Sequence, residues 1–413
     1  MLKTIKSIDL LMLGLMIISL PSIEAPKNIF LVGFLLMRIL IEAHKLSQKV
    51  RQWAAWDSIF LTIVFTALLS TLFAGMPNHE EWKGYKVLLT AILTGWLLSR
   101  AHYSRENYQG LFVLIVLGTI PPLFWGLYEY LIEHSRKTLE IHSVGHVNHS
   151  AIYLTMIFGA SLCWFLSELN FKKVKQSLIW QHIFLAILSL VFFIGLIIGE
   201  SRGAFGIATF LGLSIFLLIA KDIKIKIFGA ASVIAIIFLT IFLNTNIVQK
   251  QISNQEANNT LGSRDKVWNV SLEASRFYPV LGIGLSNWHF ISVDQLKKSV
   301  EARGEIFNRD MYAFPGHSHN LYLSALVERG MIGLAVTLLF MIAWARHLKK
   351  TFNLAKKSSE AIRFWGGSFS AWVATFGIGF VNTTFHHEHA ILACLLLALY
   401  LSYTNVILKK KLR

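Results

Sequence analysis

Apolar runs of membrane-spanning length recur along the whole of this chain, too many for a water-soluble core to absorb. A bilayer crossing takes roughly 20 mostly apolar residues. About twelve such runs can be read, at 8–22, 28–42, 55–75, 85–101, 110–131, 150–168, 179–199, 203–220, 225–243, 331–346, 363–384 and 389–407. Of the 413 residues 54% are apolar or aromatic and 15% are charged, against about a quarter charged in a soluble domain. A soluble enzyme, a nucleic-acid-binding domain, a disordered chain and a disulfide scaffold are thereby excluded. The expected fold class is an all-α polytopic membrane protein. Cys163 and Cys394 both sit inside apolar runs, so no disulfide framework is indicated. Pro121-Pro122 should kink the fifth run. Met1–Lys6 and the apolar stretch to Leu20 resemble a signal peptide, but Ile23-Glu24-Ala25 is a poor cleavage site and an uncleaved first span is expected.

The chain holds 39 Lys and Arg against 23 Asp and Glu, a net charge of +16. In a membrane protein that excess reads as a topology signal, because basic residues collect on cytoplasmic loops. One set of alternate loops carries Lys3 and Lys6; Lys45, Lys49 and Arg51; Arg100 and Arg105; Lys172, Lys173 and Lys175; and Lys221, Lys224 and Lys226. It continues with the basic residues between Arg346 and Arg363 and with Lys409–Arg413. The other set holds Glu24, Glu80, Glu81, Glu133, Glu140 and Glu200. Both termini are therefore expected in the cytoplasm. The expected division is nine spans over 1–243, a loop region with short helices over 244–330, and three spans over 331–413.

That loop region contains Asn258-Asn259-Thr260, an amphipathic helix with Trp268, Leu272 and Phe277 closed by Pro279, and a Gly282-Ile-Gly284 turn. Trp268, Trp288, Phe290, Phe307, Tyr312 and Phe314 give it apolar material to pack. Long ordered loops in compact proteins usually carry function. The spans hold few ionisable residues near their centres; Asp9, Arg38, Asp57, Lys86, Glu129 and His182 fall near predicted ends. Ion-coupled transporters keep such groups at mid-membrane, which argues against transport and moves attention to the outer face.

Three motifs gather on that face. Glu200-Ser201-Arg202-Gly203 forms a short turn before a span. Arg202 there is either an interfacial arginine or an anion ligand, its planar fork matching phosphate oxygens beside free helix N–H groups. Gly262-Ser263-Arg264-Asp265 opens a helix, with Ser263 as a candidate N-cap. His317-Ser318-His319-Asn320 follows Pro315-Gly316, and Ser318 as N-cap would start a helix at His319. The positive end of that helix would keep the His319 ring neutral, the form a general base needs. His146, His149, His386, His387 and His389 lie on the same side. A zinc site is one reading of their spacing. Without an HExxH motif or a cysteine ligand, and with only Glu388 nearby, interfacial packing and substrate hydrogen bonding are preferred.

The order Ser201-Arg202-Gly203, Gly262-Ser263-Arg264, Trp268, Pro279-Val-Leu-Gly282-Ile-Gly284, His317-Ser-His319-Asn320 and Val327-Glu328-Arg329-Gly330 resembles the O-antigen ligase and polymerase superfamily of bacterial envelope proteins. The resemblance implies a GT-C-like glycosyltransferase of the bacterial inner membrane with its active site on the periplasmic side. The donor would be an undecaprenyl-diphosphate-linked glycan. A ligase would transfer that glycan to a sugar hydroxyl of lipid A–core, with inversion and without metal or other cofactor. A polymerase or a related oligosaccharyltransferase would use the same donor. By motif position, Arg202 and Arg264 would bind the diphosphate and His319 would be the catalytic histidine. Ser201, His317, Asn320 and His149 complete the candidate substrate-binding set. The partners implied are the donor, the acceptor and membrane lipids, with no nucleic acid.

Overall fold

The computed structural model describes residues 2–48, 52–171, 179–243, 245–256 and 262–408. Lys49, Arg51, Lys172, Lys173, Lys175, Asn258-Asn259-Thr260 and Lys409–Arg413 lie outside the described residues. The architecture is all-helical. The helices are α1 (Leu2–Ser19), α2 (Glu24–Ser47), α3 (Ala55–Leu72), α4 (Glu80–Ser99), α5 (Arg105–Leu117), α6 (Ile120–Leu131), α7 (Val147–Phe171) and α8 (Ile179–Ile198). They continue as α9 (Arg202–Ile219), α10 (Ile223–Phe242), α11 (Asn246–Glu256), α12 (Arg264–Ala274), α13 (Val293–Glu301), α14 (Leu321–Ala355), α15 (Ser359–Ile378) and α16 (His387–Tyr403). Among the described residues the β-structure is one isolated bridge, Ile141 to Gly145.

Among the described residues eight helical stretches are long and apolar enough to cross a membrane: α3, α5 with α6, α7, α8, α9, α10, α14 and α16. The other runs read as spans are helices as well, but α2 carries Lys27, Arg38 and Glu42 along its length, and α1, α4 and α15 carry charges in their first halves. The run with the proline pair is broken one step earlier than the prolines themselves. Helix α5 stops at Leu117 and α6 starts at Ile120, so Pro121 falls in the first turn, where its missing N–H costs no helical bond. The predicted span 363–384 is also too long: α15 ends at Ile378 and frees residues 379–386 as a polar loop.

Helices α7 and α16 run through the middle and are almost wholly buried, whereas α10 is mostly exposed at the periphery. Small residues let the central helices approach closely. A Cβ on Gly366 would stand 2.3 Å from Cys163 Sγ, and one on Gly95 would stand 3.0 Å from Cys394 Cβ. The two cysteines thus serve packing. One end of the bundle holds a buried charge cluster. Arg38 bonds Asp9 at 3.5 Å and Glu42 at 3.1 Å, and Arg100 bonds Glu42 at 2.9 Å and Asp57 at 2.5 Å. Asp9 falls near the middle of α1, because that helix begins earlier than the apolar run; its charge is tied to Arg38 and Tyr103.

The loop region forms a second core from Val267, Val270, Ala274, Ile283, Trp288, Ile291 and Leu296, closed by Val327 of α14. Phe307, Tyr312 and Phe314 pack against it. Helix α12 therefore buries Val267, Val270, Ser271 and Ala274, and leaves Leu272 half exposed, a different face from the one the aromatic pattern suggested. This core is strapped onto the bundle by backbone bonds. Gly75 and Met76 donate to the carbonyls of Gly282 and Ile283, while Ile283 and Gly284 donate to those of Val327 and Glu328. Helix α14 is interrupted at Gly330, which has φ +65°. Beyond the break, Met331 N–H donates to Pro279 O. Gly282 has φ +78°, and a Cβ there would stand 2.4 Å from the Glu328 carbonyl carbon, so the close approach requires glycine.

Candidate active site

The end of the bundle opposite the charge cluster gathers the starts of α4, α7, α9, α14 and α16. On α4, Gly84 and Leu88 line a cavity at this end, whereas Arg100 belongs to the far cluster, roughly 18 Å along a helix at 1.5 Å per residue. The cavity measures about 370 Å³ and is walled by His149, His317, His386, His387, Ser324 and Thr383, among others. That volume lies in the usual range for small-molecule pockets, about 300–1,000 Å³.

Arg202 opens α9 after Glu200, which has φ +54°, and Ser201. Its Nη1 donates to Gln251 of α11, and its Nη2 lies 3.2 Å from where a Cβ on Gly262 would be. Gly262, with φ +63°, therefore accepts the arginine against its backbone. Two residues on, Arg264 opens α12. Ser263 occupies the cap position with φ +60°, but its side chain does not cap the helix. Burial and the neighbouring Arg202 guanidinium both push the Arg264 pKa below its ordinary value. Two guanidinium groups held together in a partly dry place form a site for a polyanion.

The HSHN segment differs from its sequence reading in one respect that matters. Helix α14 begins at Leu321, not His319; Asn320 is the N-cap, its Oδ1 accepting from Tyr322 N–H at 2.9 Å and Leu323 N–H at 3.0 Å. Asn320 Nδ2 donates to Phe380 O, so both ends of its amide serve the fold. Ser318 is fully buried and donates to Asn320 O, holding the turn closed. His319 sits outside the helix with φ +47°, a left-handed conformation that residues with a Cβ rarely adopt and that concentrates at functional sites. Its ring lies 4.0 Å from that of His317, centroid to centroid. Burial, then His317, then Arg264 push its pKa down to about 4, against the smaller opposing effect of a hydrogen bond with Asn382. His319 Nδ1 is buried and has no hydrogen-bond partner. The ring is thus neutral at ordinary pH through desolvation and nearby positive charge, not through a helix terminus beneath it.

Ser201 Oγ donates to Asn148 Oδ1 at 3.1 Å, tying the Arg202 turn to the start of α7. His149 stands apart from the arginines, with its ring against those of His386, His387 and His389. The fold therefore assembles Arg202, Arg264, His319 and His317 in one neighbourhood, uses Asn320 and Ser318 to build it, and puts His149 in a second histidine cluster. Asn382, Thr383 and Gln251 were missed in the sequence. The polar run Asn382-Thr383-Thr384 was the available signal, hidden by its assignment to the end of a span.

The family model for O-antigen ligase matches residues 184–338. That segment contains the arginine turns, the strap and the HSHN turn. Residues 184–338 are thus similar to the O-antigen ligase family. The chain is also 27% identical over 186 residues to a Rickettsia felis protein curated under the provisional name of polysaccharide ligase. That match covers 43% of this chain and 42% of the relative, so the chain spans less than half the length of the curated protein it matches. Arg202, Arg264 and His319 all fall within residues 184–338, and His149 and the 386–389 cluster fall outside.

Proposed function

We propose that this protein is an O-antigen ligase. It moves a glycan from undecaprenyl diphosphate to a sugar hydroxyl of lipid A–core on the periplasmic side of the bacterial inner membrane. In this reading the helical body is a GT-C-like bundle of twelve spans with both termini in the cytoplasm, and 244–330 is the periplasmic region. The observation that carries the proposal is the meeting of two arginines with a neutral, partly unpartnered imidazole at one mouth of the bundle.

The chemistry follows from those groups. Arg202 and Arg264 hold the diphosphate of the donor. The acceptor hydroxyl attacks the anomeric carbon from the face opposite the diphosphate, so the new C–O bond forms with inversion as the old one breaks. Negative charge grows on the departing diphosphate, and fixed guanidinium groups stabilise it more in the transition state than in the donor. The hydroxyl proton passes to a nitrogen of His319, which is neutral beforehand and later releases the proton to water. His317 borders the adjoining cavity, which offers room for the acceptor sugar. The transfer step uses no metal. The relative's name, polysaccharide ligase, favours ligation over polymerisation.

Lipopolysaccharide from a deletion strain, complemented with wild-type protein or with Arg202→Ala, Arg264→Ala or His319→Ala, tests the proposal. Core lipid lacking polymer, together with accumulated lipid-linked polymer, is expected for the deletion and all three variants at normal protein levels. Core carrying a single repeat would assign polymerisation instead, and full activity of His319→Ala would remove the general base.

A further inference from the structure

The second histidine cluster is unused by this chemistry and lies outside the segment matched by the ligase family. One ring nitrogen each from His149, His386 and His387 lies within 4.8 Å of the others. The His149 ring is 4.8 Å from that of His386 and 4.9 Å from that of His387, and the latter two are 4.4 Å apart. Consecutive residues of a regular helix project about 100° apart, at 3.6 residues per turn, so neighbouring rings do not converge by default. Here His387 takes φ +53° at the start of α16, and this backbone reversal brings both rings to His149, which comes from the first turn of α7.

A second observation points to a missing ligand. His389 is fully buried, its ring is 5.2 Å from His149 and 5.0 Å from His386, and neither of its nitrogens has a hydrogen-bond partner. Buried imidazole nitrogens are normally satisfied by protein, water or metal. Glu388 does not compete for the role, since its carboxylate is paired with Lys27 in a buried contact. The ligand set is therefore all-imidazole, and its three members line the 370 Å³ cavity, which leaves room for a water or sugar oxygen.

We infer that His149, His386 and His387 bind a divalent first-row transition cation, best matched by Zn²⁺, with His389 backing the site. Neutral imidazole suits zinc, and three histidines with one open position are a recurrent zinc arrangement. Zn–N bonds of about 2.0–2.1 Å in a tetrahedron put ligand nitrogens about 3.3 Å apart. The present nitrogens lie within 4.8 Å of one another, so the three rings must draw closer on binding to reach that spacing. The cation would fasten the start of α7 to the start of α16 at the cavity wall. The inference is independent of the proposed transfer reaction, because its readout is metal binding.

The test uses the full-length protein, purified in detergent without a polyhistidine tag, stripped with chelator and titrated with Co²⁺ and then Zn²⁺. Expected is one Co²⁺ per chain with the intense visible absorption of a tetrahedral site, displaced by Zn²⁺. His149→Ala and His386→Ala should each weaken binding by about tenfold or more, since even indirect partners of metal ligands cost 10–100-fold. His134→Ala, an exposed histidine elsewhere, should bind as wild type. Absence of the Co²⁺ spectrum in wild type overturns the inference, as does binding that ignores both ligand substitutions. Circular dichroism and gel filtration check the folding of each variant; where one does not fold, the wild-type spectrum decides.

Discussion

Acidification from pH 8 to pH 6 separates the His319 of this structure from an ordinary surface imidazole. With its pKa at about 4, the ring is about 99% neutral at pH 6 and about 91% neutral at pH 5, whereas a ring titrating at about 6.5 is only about 24% and 3% neutral. The general-base proposal then predicts a nearly flat kcat/KM between pH 8 and pH 6, against roughly a fourfold fall for an unperturbed histidine. The assay is the initial rate of glycan transfer in detergent or proteoliposomes, from purified lipid-linked donor to purified acceptor at subsaturating concentrations. His317 faces His319 and its pKa is likewise lowered by burial, so the profile is repeated with His317→Gln. A limb with its midpoint near 6.5 in both proteins would refute the reasoning. It would mean that the desolvation and the Arg264 field set out above do not act on the working enzyme.

The same depressed pKa values carry a stability consequence. Burial holds His319 and His317 below their ordinary value in the fold, so the stability that His319 contributes is complete above about pH 6.5 and is lost as the pH falls towards 4; thermal unfolding at pH 7.5 and pH 5 reads this as a lower melting temperature in acid. Gly282→Ala should destabilise by about 2–5 kcal/mol, the sum of a left-handed penalty and overpacking against Glu328, measured as a fall in melting temperature. Lys27→Ala strands the buried Glu388 carboxylate and should cost about 3–5 kcal/mol; an unchanged melting temperature would show that this pair is solvated. Arg264→Lys should leave the fold intact but restore little transfer, because a lysine loses the two-pronged fit to phosphate.

Much of this was legible in the sequence. Apolar runs gave the helices, because helix formation in lipid is forced once the run is long enough. Motif order singled out Arg202, Arg264 and His319, and the fold brings their neighbourhoods together. The remainder depends on backbone reversals and long-range pairing. Glu200, Ser263, His319 and His387 all take positive φ without being glycine, and no residue preference announces that. Assuming ordinary geometry put His319 inside α14, and it gave no means of seeing that His386 and His387 both turn towards His149. His149 and His387 are brought together only by the packing of α16 beside α7, which local periodicity cannot express. The amphipathic face of α12 was misread for a related reason. Its partners are Trp288, Leu296 and Val327, so its inward side follows from the loop core and not from its own largest residues.

The break in α14 at Gly330 makes the loop core and the histidine turn inseparable from the third and fourth helices. Residues 279–284 bond both to the segment after α3 and to α14 on either side of the break, and Ser70 of α3 donates to Leu281 O and Glu328 O. Chimeras carrying only a relative's segment 262–329 would sever this stitching and displace the HSHN turn. A workable exchange must move Ser70, Gly75 and Met76 together with residues 262–334, so the transplantable module is discontinuous in the gene.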